Sequence, residues 1–146
     1  MSKKKPNHII IKSLNYPEKV LIAWREAIGG NLEFRDFLMK SPYKELGMFC
    51  YALLNERKSR KWLIDNQFAH LLATIEGIEG KDSALIWLKK NGFDLLFHFE
   101  RSADSWKDSQ KWLQKKDKLL YAISLKIEYI KDQIDLKNED PHKINP

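Results

Sequence analysis

Residues 62–88, WLIDNQFAHLLATIEGIEGKDSALIWL, open and close on the same pair: Trp62-Leu63 and Trp87-Leu88 stand 25 residues apart. The pair returns downstream as Trp112-Leu113 and upstream as Phe37-Leu38, with no slippage. A fixed period in this range marks units that cannot bury an apolar face alone and stack to do so. Inside the stretch, Phe68, Leu71, Leu72 and Ile75 fall at i, i+3, i+4 and i+7, one face of a helix. Gly80 follows, where a helix can end on a positive φ, and a shorter apolar pattern then leads to Trp87-Leu88. The stretch reads as two helices joined by a turn.

Other columns keep the same period. Leu46, Leu71, Leu96 and Tyr121 form one, and Tyr43, Phe68 and Phe93 another, which lapses at Lys118. Ala27, Ala52, Gly77 and Ser102 form a column of small residues that would let first helices approach closely. The aromatic–leucine pairs are expected to be interior, filling the space between second helices. The spacing predicts helices over about 17–28, 32–40, 43–54, 57–65, 68–79, 83–91, 93–103, 106–116 and 118–137. Asp82 and Ser105 suit the N-caps of second helices, and Ser41-Pro42 reads as N-cap then N1 of a first helix.

The expected fold is all-α: a tandem, right-handed array of about four 25-residue hairpins, α-solenoid-like, closed by a capping helix over 118–137. A globular bundle of the same helices is the alternative. Residues 1–14 form a basic N-terminal tail, 15–137 one helical-repeat domain, and 138–146 a frayed tail. The pattern is similar in kind to tetratricopeptide, ankyrin and HEAT arrays. It lacks the Trp-x-x-Leu-Gly opening of the first and the Thr-Pro-Leu-His run of the second.

Composition fits this reading. The chain has 146 residues, 43% hydrophobic and 12% aromatic, with only six Gly and five Pro. That is enough for one domain with a sizeable core. A lone cysteine, Cys50, excludes an intrachain disulfide and suits a reducing compartment. There is no apolar stretch long enough to span a membrane, and the three isoleucines after the N-terminal lysines are too few for a signal-peptide core. A cytoplasmic location is expected. The net charge of +6 leans on the first twelve residues, which carry four Lys and no acid. It is weaker support for a nucleic-acid partner than the pI of 9.3 suggests.

Reaction chemistry is sparse. His8, His70, His98 and His142 are too far apart in sequence for a helical metal face, and no metal or other cofactor is expected. No Gly-rich phosphate loop or Gly-x-Ser-x-Gly elbow is present. Glu76, Glu79 and Asp82 lie at a polar turn and read as solvated carboxylates, and Cys50 as a packing residue. Two basic groups stand out. Arg57, Lys58, Arg60 and Lys61 open a helix, the end less favourable to cations. Lys107, Lys111 and Lys115 make a stripe at four-residue spacing. Trp106 occupies a column otherwise polar (Asn31, Glu56, Lys81), so it is either covered by the C-terminal helix or exposed as a binding residue. The leading expectation is a non-enzymatic protein–protein interaction module. A nucleic-acid-binding protein using these patches with Lys3-Lys4-Lys5 is the alternative, and an enzyme assembled from His70, His98 and Glu100 the third. The oligomeric state is left open.

Overall fold

The computed structural model describes residues 14–138. The N-terminal lysines and all but the first residue of the expected frayed tail lie outside them; that residue, Asn138, ends the last helix. Among the described residues there are nine helices and no strand: α1 (Glu18–Ile28), α2 (Leu32–Met39), α3 (Lys44–Leu53), α4 (Arg57–Asp65), α5 (Ala69–Ile78), α6 (Asp82–Lys90), α7 (Asp94–Ala103), α8 (Lys107–Lys116) and α9 (Lys118–Asn138). Each agrees with the sequence expectation to within one residue at either end.

The turns repeat a chemistry of their own. Gly30, Asn55, Gly80 and Ser105 all take positive φ, between 70° and 106°, just beyond the odd helices α1, α3, α5 and α7. Ser105 is thus a helix-ending residue, not an N-cap, and Asp82 is the first residue of α6, after the N-cap Lys81. N-cap Asn31 accepts hydrogen bonds from the backbone N–H groups of Glu33 and Phe34. Ser41 does not cap α3 either: its Oγ accepts from the Tyr43 N–H, and Tyr43 is the N-cap. Asn66 and Asn91 donate from Nδ2 to the Trp62 and Trp87 carbonyls, each at 2.9 Å, closing α4 and α6.

Odd helices pack on odd helices, and each even helix packs on its sequence neighbours. No even helix packs on another among the described residues. The small column lies at the odd–odd contacts: Ala27, Ala52 and Ser102 are fully buried, and a Cβ on Gly77 would come within 2.9 Å of Glu100 Cγ. Three second helices send a donor back to that column. Arg35 Nε reaches the Ala27 carbonyl at 2.8 Å, Arg60 Nε that of Ala52 at 3.0 Å, and Gln110 Nε2 that of Ser102 at 2.9 Å. These donors stand at the 25-residue period, and Leu85, which has no donor to offer, breaks the series.

The aromatic–leucine pairs correct the expectation. Leu38, Leu63, Leu88 and Leu113 are wholly buried, but Phe37 is 53% exposed, Trp87 39% and Trp112 36%. The aromatic member therefore does not fill a gap between second helices. Trp62 stacks on Phe68 and Trp87 on Phe93, ring centroids 5.8 and 5.6 Å apart. The partner in each case is the N-cap residue of the next odd helix. Where Lys118 ends that column, Trp112 stacks instead on His98 at 4.0 Å.

The two ends of the chain meet. α9 packs on α7 and α8 and also on α1, so α1, α3, α5, α7 and α9 form a closed circuit. Its centre is Trp24, fully buried, set edge-on to Phe49 of α3 and stacked on Phe99 of α7 at 5.8 Å. Leu120, Ile123 and Ile127 of α9 complete this core. Units that met only their neighbours would leave the first and last helices apart; here they share one core.

Candidate functional site

The residues singled out in the sequence fall on two separate helices. On α4, the Arg60 guanidinium makes a two-point bond to Glu79 at 3.1 and 2.6 Å while its Nε holds the Ala52 carbonyl. Lys61 pairs with Asp65 at 2.7 Å. Arg57 and Lys58 are exposed and make no ion pair among the described residues. Ser59 hydrogen-bonds to Glu56, which places a carboxylate at the helix start. Tertiary bonding thus accounts for Arg60, and local carboxylates offset part of the rest.

On α8, Lys107, Lys111 and Lys115 are exposed and have no ion pair among the described residues. Trp106 is the N-cap of α8 and is 51% exposed, so it does not lie beneath α9. The Arg101 guanidinium sits 4.6 Å above its ring. Arg101 also lies 5.3 Å from the Phe97 ring, and Lys89 of α6 lies 4.6 Å from that same ring. Phe97 meets His98 edge-on, and His98 carries Trp112. The result is one contiguous surface of rings and cations, floored by α7 and flanked by α6 and α8.

Its polar groups are fixed. Arg101 donates to Ser109 Oγ and to Asp108, each at 3.2 Å, and His98 Nδ1 is hydrogen-bonded to Ser109 Oγ at 2.9 Å. Burial, then the charges of Arg101 and Lys89, hold the His98 imidazole below its ordinary range. The neutral form of the ring is thereby favoured. Sequence reading passed over Phe97, Lys89 and Arg101. The available signal was Phe97, the one aromatic in a column otherwise held by Ile22, Gly47, Leu72 and Ala122.

His98 and Glu100 do not converge. His98 faces the outer helices, whereas Glu100 is 1% exposed and packs against Gly77 of α5. Glu100 Oε1 has no hydrogen-bond partner, and burial, then Asp104, pushes its carboxyl up to about 8. Cys50 is buried, and desolvation pushes its thiol up to about 12, with Arg35 acting against it. An open cavity of about 420 Å³ lies between the segment before α1, the start of α7 and the α8–α9 junction. Leu14, Tyr16, Leu95, Asp117 and Leu120 line it, and neither His98 nor Glu100 reaches it. Among the described residues, no group of three His, Cys, Asp or Glu side chains is placed to hold a metal ion. No helix among them is long and apolar enough to cross a membrane.

Comparison with protein-family models, curated proteins and solved structures found no match to this chain.

Proposed function

We propose that the chain is a short array of four helical hairpins, α1–α2, α3–α4, α5–α6 and α7–α8, capped by α9, and that it serves as a non-enzymatic protein–protein interaction module. One observation carries this reading. The outer helices keep large aromatic side chains in water, Trp106 half exposed and Trp87 and Trp112 more than a third, while every leucine beside a repeat aromatic is buried. Leaving an indole half in water forgoes much of the roughly 1.5–3 kcal/mol that burial of a large side chain supplies. Trp and Arg together are the composition of interface hot spots. The closed circuit of odd helices fills the interior, so the contact surface is the outside of the even helices and the α7 residues between them. A cytoplasmic location belongs to the same reading and rests on the single, buried Cys50.

Nucleic-acid binding is the second reading. It is favoured by the unpaired Lys107, Lys111 and Lys115 stripe and by Arg57 and Lys58.

A photoreactive amino acid at position 106 or 112, with one at Asp36 on α2 as control, separates the two. The protein reading expects cross-links to a protein at 106 or 112 only. That protein, once purified, should bind the chain saturably, and at least about tenfold more weakly when Trp106→Ala and Trp112→Ala are combined. Label passing only to nucleic acid, or equally to a protein from all three positions, rejects it.

A further inference from the structure

We infer that the surface between α6 and α8, over Phe97, binds an acidic, aromatic- or leucine-bearing segment of a partner protein. The inference deepens the interaction reading above and rests on it.

Helices α6 and α8 each pack on α7 and not on one another, which leaves part of α7 facing outward between them. The floor of the surface is this outward side of α7, where Phe97, His98 and Arg101 are only partly buried. Three contacts join floor to walls: Lys89 over Phe97, Arg101 between Phe97 and Trp106, and His98 against Trp112.

Charge selects the occupant. Asp94 and Asp108 act on His98, and Asp108 is already bonded to Arg101. Lys89 stands over the Phe97 ring, and no carboxylate of the described residues pairs with it. Lys111 and Lys115 along α8 are likewise unpaired. The contact of an ammonium with a ring strengthens once water is excluded, as a docked segment would do. A partner carboxylate would find Lys89 held in place, and an apolar neighbour on the same segment would cover the exposed parts of Phe97, Trp106 and Trp112. Opposite charge also speeds encounter and disfavours basic partners.

Nucleic acid would meet the same cations, but one face of Trp106 carries Arg101 and one face of Trp112 carries His98, which leaves the opposite face of each as the stacking surface. Base stacking needs a free, flat ring face. A protein segment needs only edges and the remaining apolar surface, and it is the occupant argued here.

The test follows the indole N–H signals of the five Trp by NMR in the intact chain. The probes are a short Glu-rich peptide bearing one Trp and one Leu, its Lys-rich counterpart, and an oligothymidylate. The acidic peptide should shift the Trp106 and Trp112 signals saturably and leave buried Trp24 unmoved. Lys89→Glu should weaken it at least about fivefold, with an unchanged melting temperature, whereas Lys40→Glu just beyond α2 should not. Equal shifts with the basic peptide, no shift with either peptide, or shifts with the oligonucleotide alone would overturn the inference. A cross-linked protein whose affinity ignores Lys89→Glu would also remove it, while leaving the broader interaction reading intact.

Discussion

Trp87 and Leu88 are neighbours in the chain and opposite in environment, 39% and 0% exposed. Leu88→Ala opens a cavity in a closed core and should cost about 2–5 kcal/mol. Trp87→Ala loses a stack on Phe93, about 0.5–1.5 kcal/mol beyond the apolar area it covers, and part of a half-wet surface, and should cost less than Leu88→Ala. Urea unfolding of the two variants decides this; equal losses would put the indole in the core after all. Glu100 supplies a second prediction. Its folded carboxyl titrates at about 8 against an ordinary 4.5, so between those values the unfolded chain has released a proton that the folded chain keeps. The Glu100 contribution to stability is therefore fully present below about pH 4.5 and is lost as pH rises towards 8, by at most about 1.4 kcal/mol per pH unit. Glu100→Gln should flatten that slope and be more stable than the parent at pH 9, by urea midpoints. Parallel profiles would reject the neutral carboxyl. None of this was visible at residue level in the sequence. A 25-residue column says that a position recurs, but not which member of an adjacent pair faces inward.

At the scale of elements, the sequence was most informative. Apolar spacing and turn residues located all nine helices of the described region to within a residue. Cap chemistry is less readable: a Ser before a helix reads as an N-cap, yet Ser105 ends the previous one at φ 73°. The same site in its sister hairpins is held by Gly30, Asn55 and Gly80, all at positive φ, and that column was the better guide. The second set of turns extends the argument. Gln67 sits at φ 70° where its counterpart 25 residues on is Gly92 at φ 80°. A side chain with a Cβ is strained there, so Gln67→Gly should stabilise the protein by about 0.5–1 kcal/mol. Calorimetry reads this directly, and a lowered melting temperature would argue against it. The α5–α7 contact has the opposite sensitivity. Gly77→Ala puts a methyl 2.9 Å from Glu100 Cγ, and it should cost about 1–3 kcal/mol unless Glu100 swings aside.

For the molecule as a whole, the decisive contact is between chain ends. α9 covers the core through Leu120, Ile123 and Ile127, ties to α7 by the Ser102–Ser124 hydrogen bond at 2.7 Å, and pairs Lys131 with Asp104 at 2.6 Å. A chain ending at Asp117 should keep much helix by far-UV circular dichroism, lose its cooperative melt and bind a hydrophobic dye. A sharp transition in that variant would show that α1–α8 fold without the cap. Periodic apolar residues and turn formers act over a few bonds, so the linear chain alone settled the all-helical class and the helix limits. The closure of α1 on α9 around Trp24, the outward-facing indoles and the gathering of Lys89, Phe97, Arg101 and Trp106 were settled in three dimensions. They depend on how far each hairpin rotates against the next, and that rotation is set by side-chain volumes meeting across helices far apart in sequence.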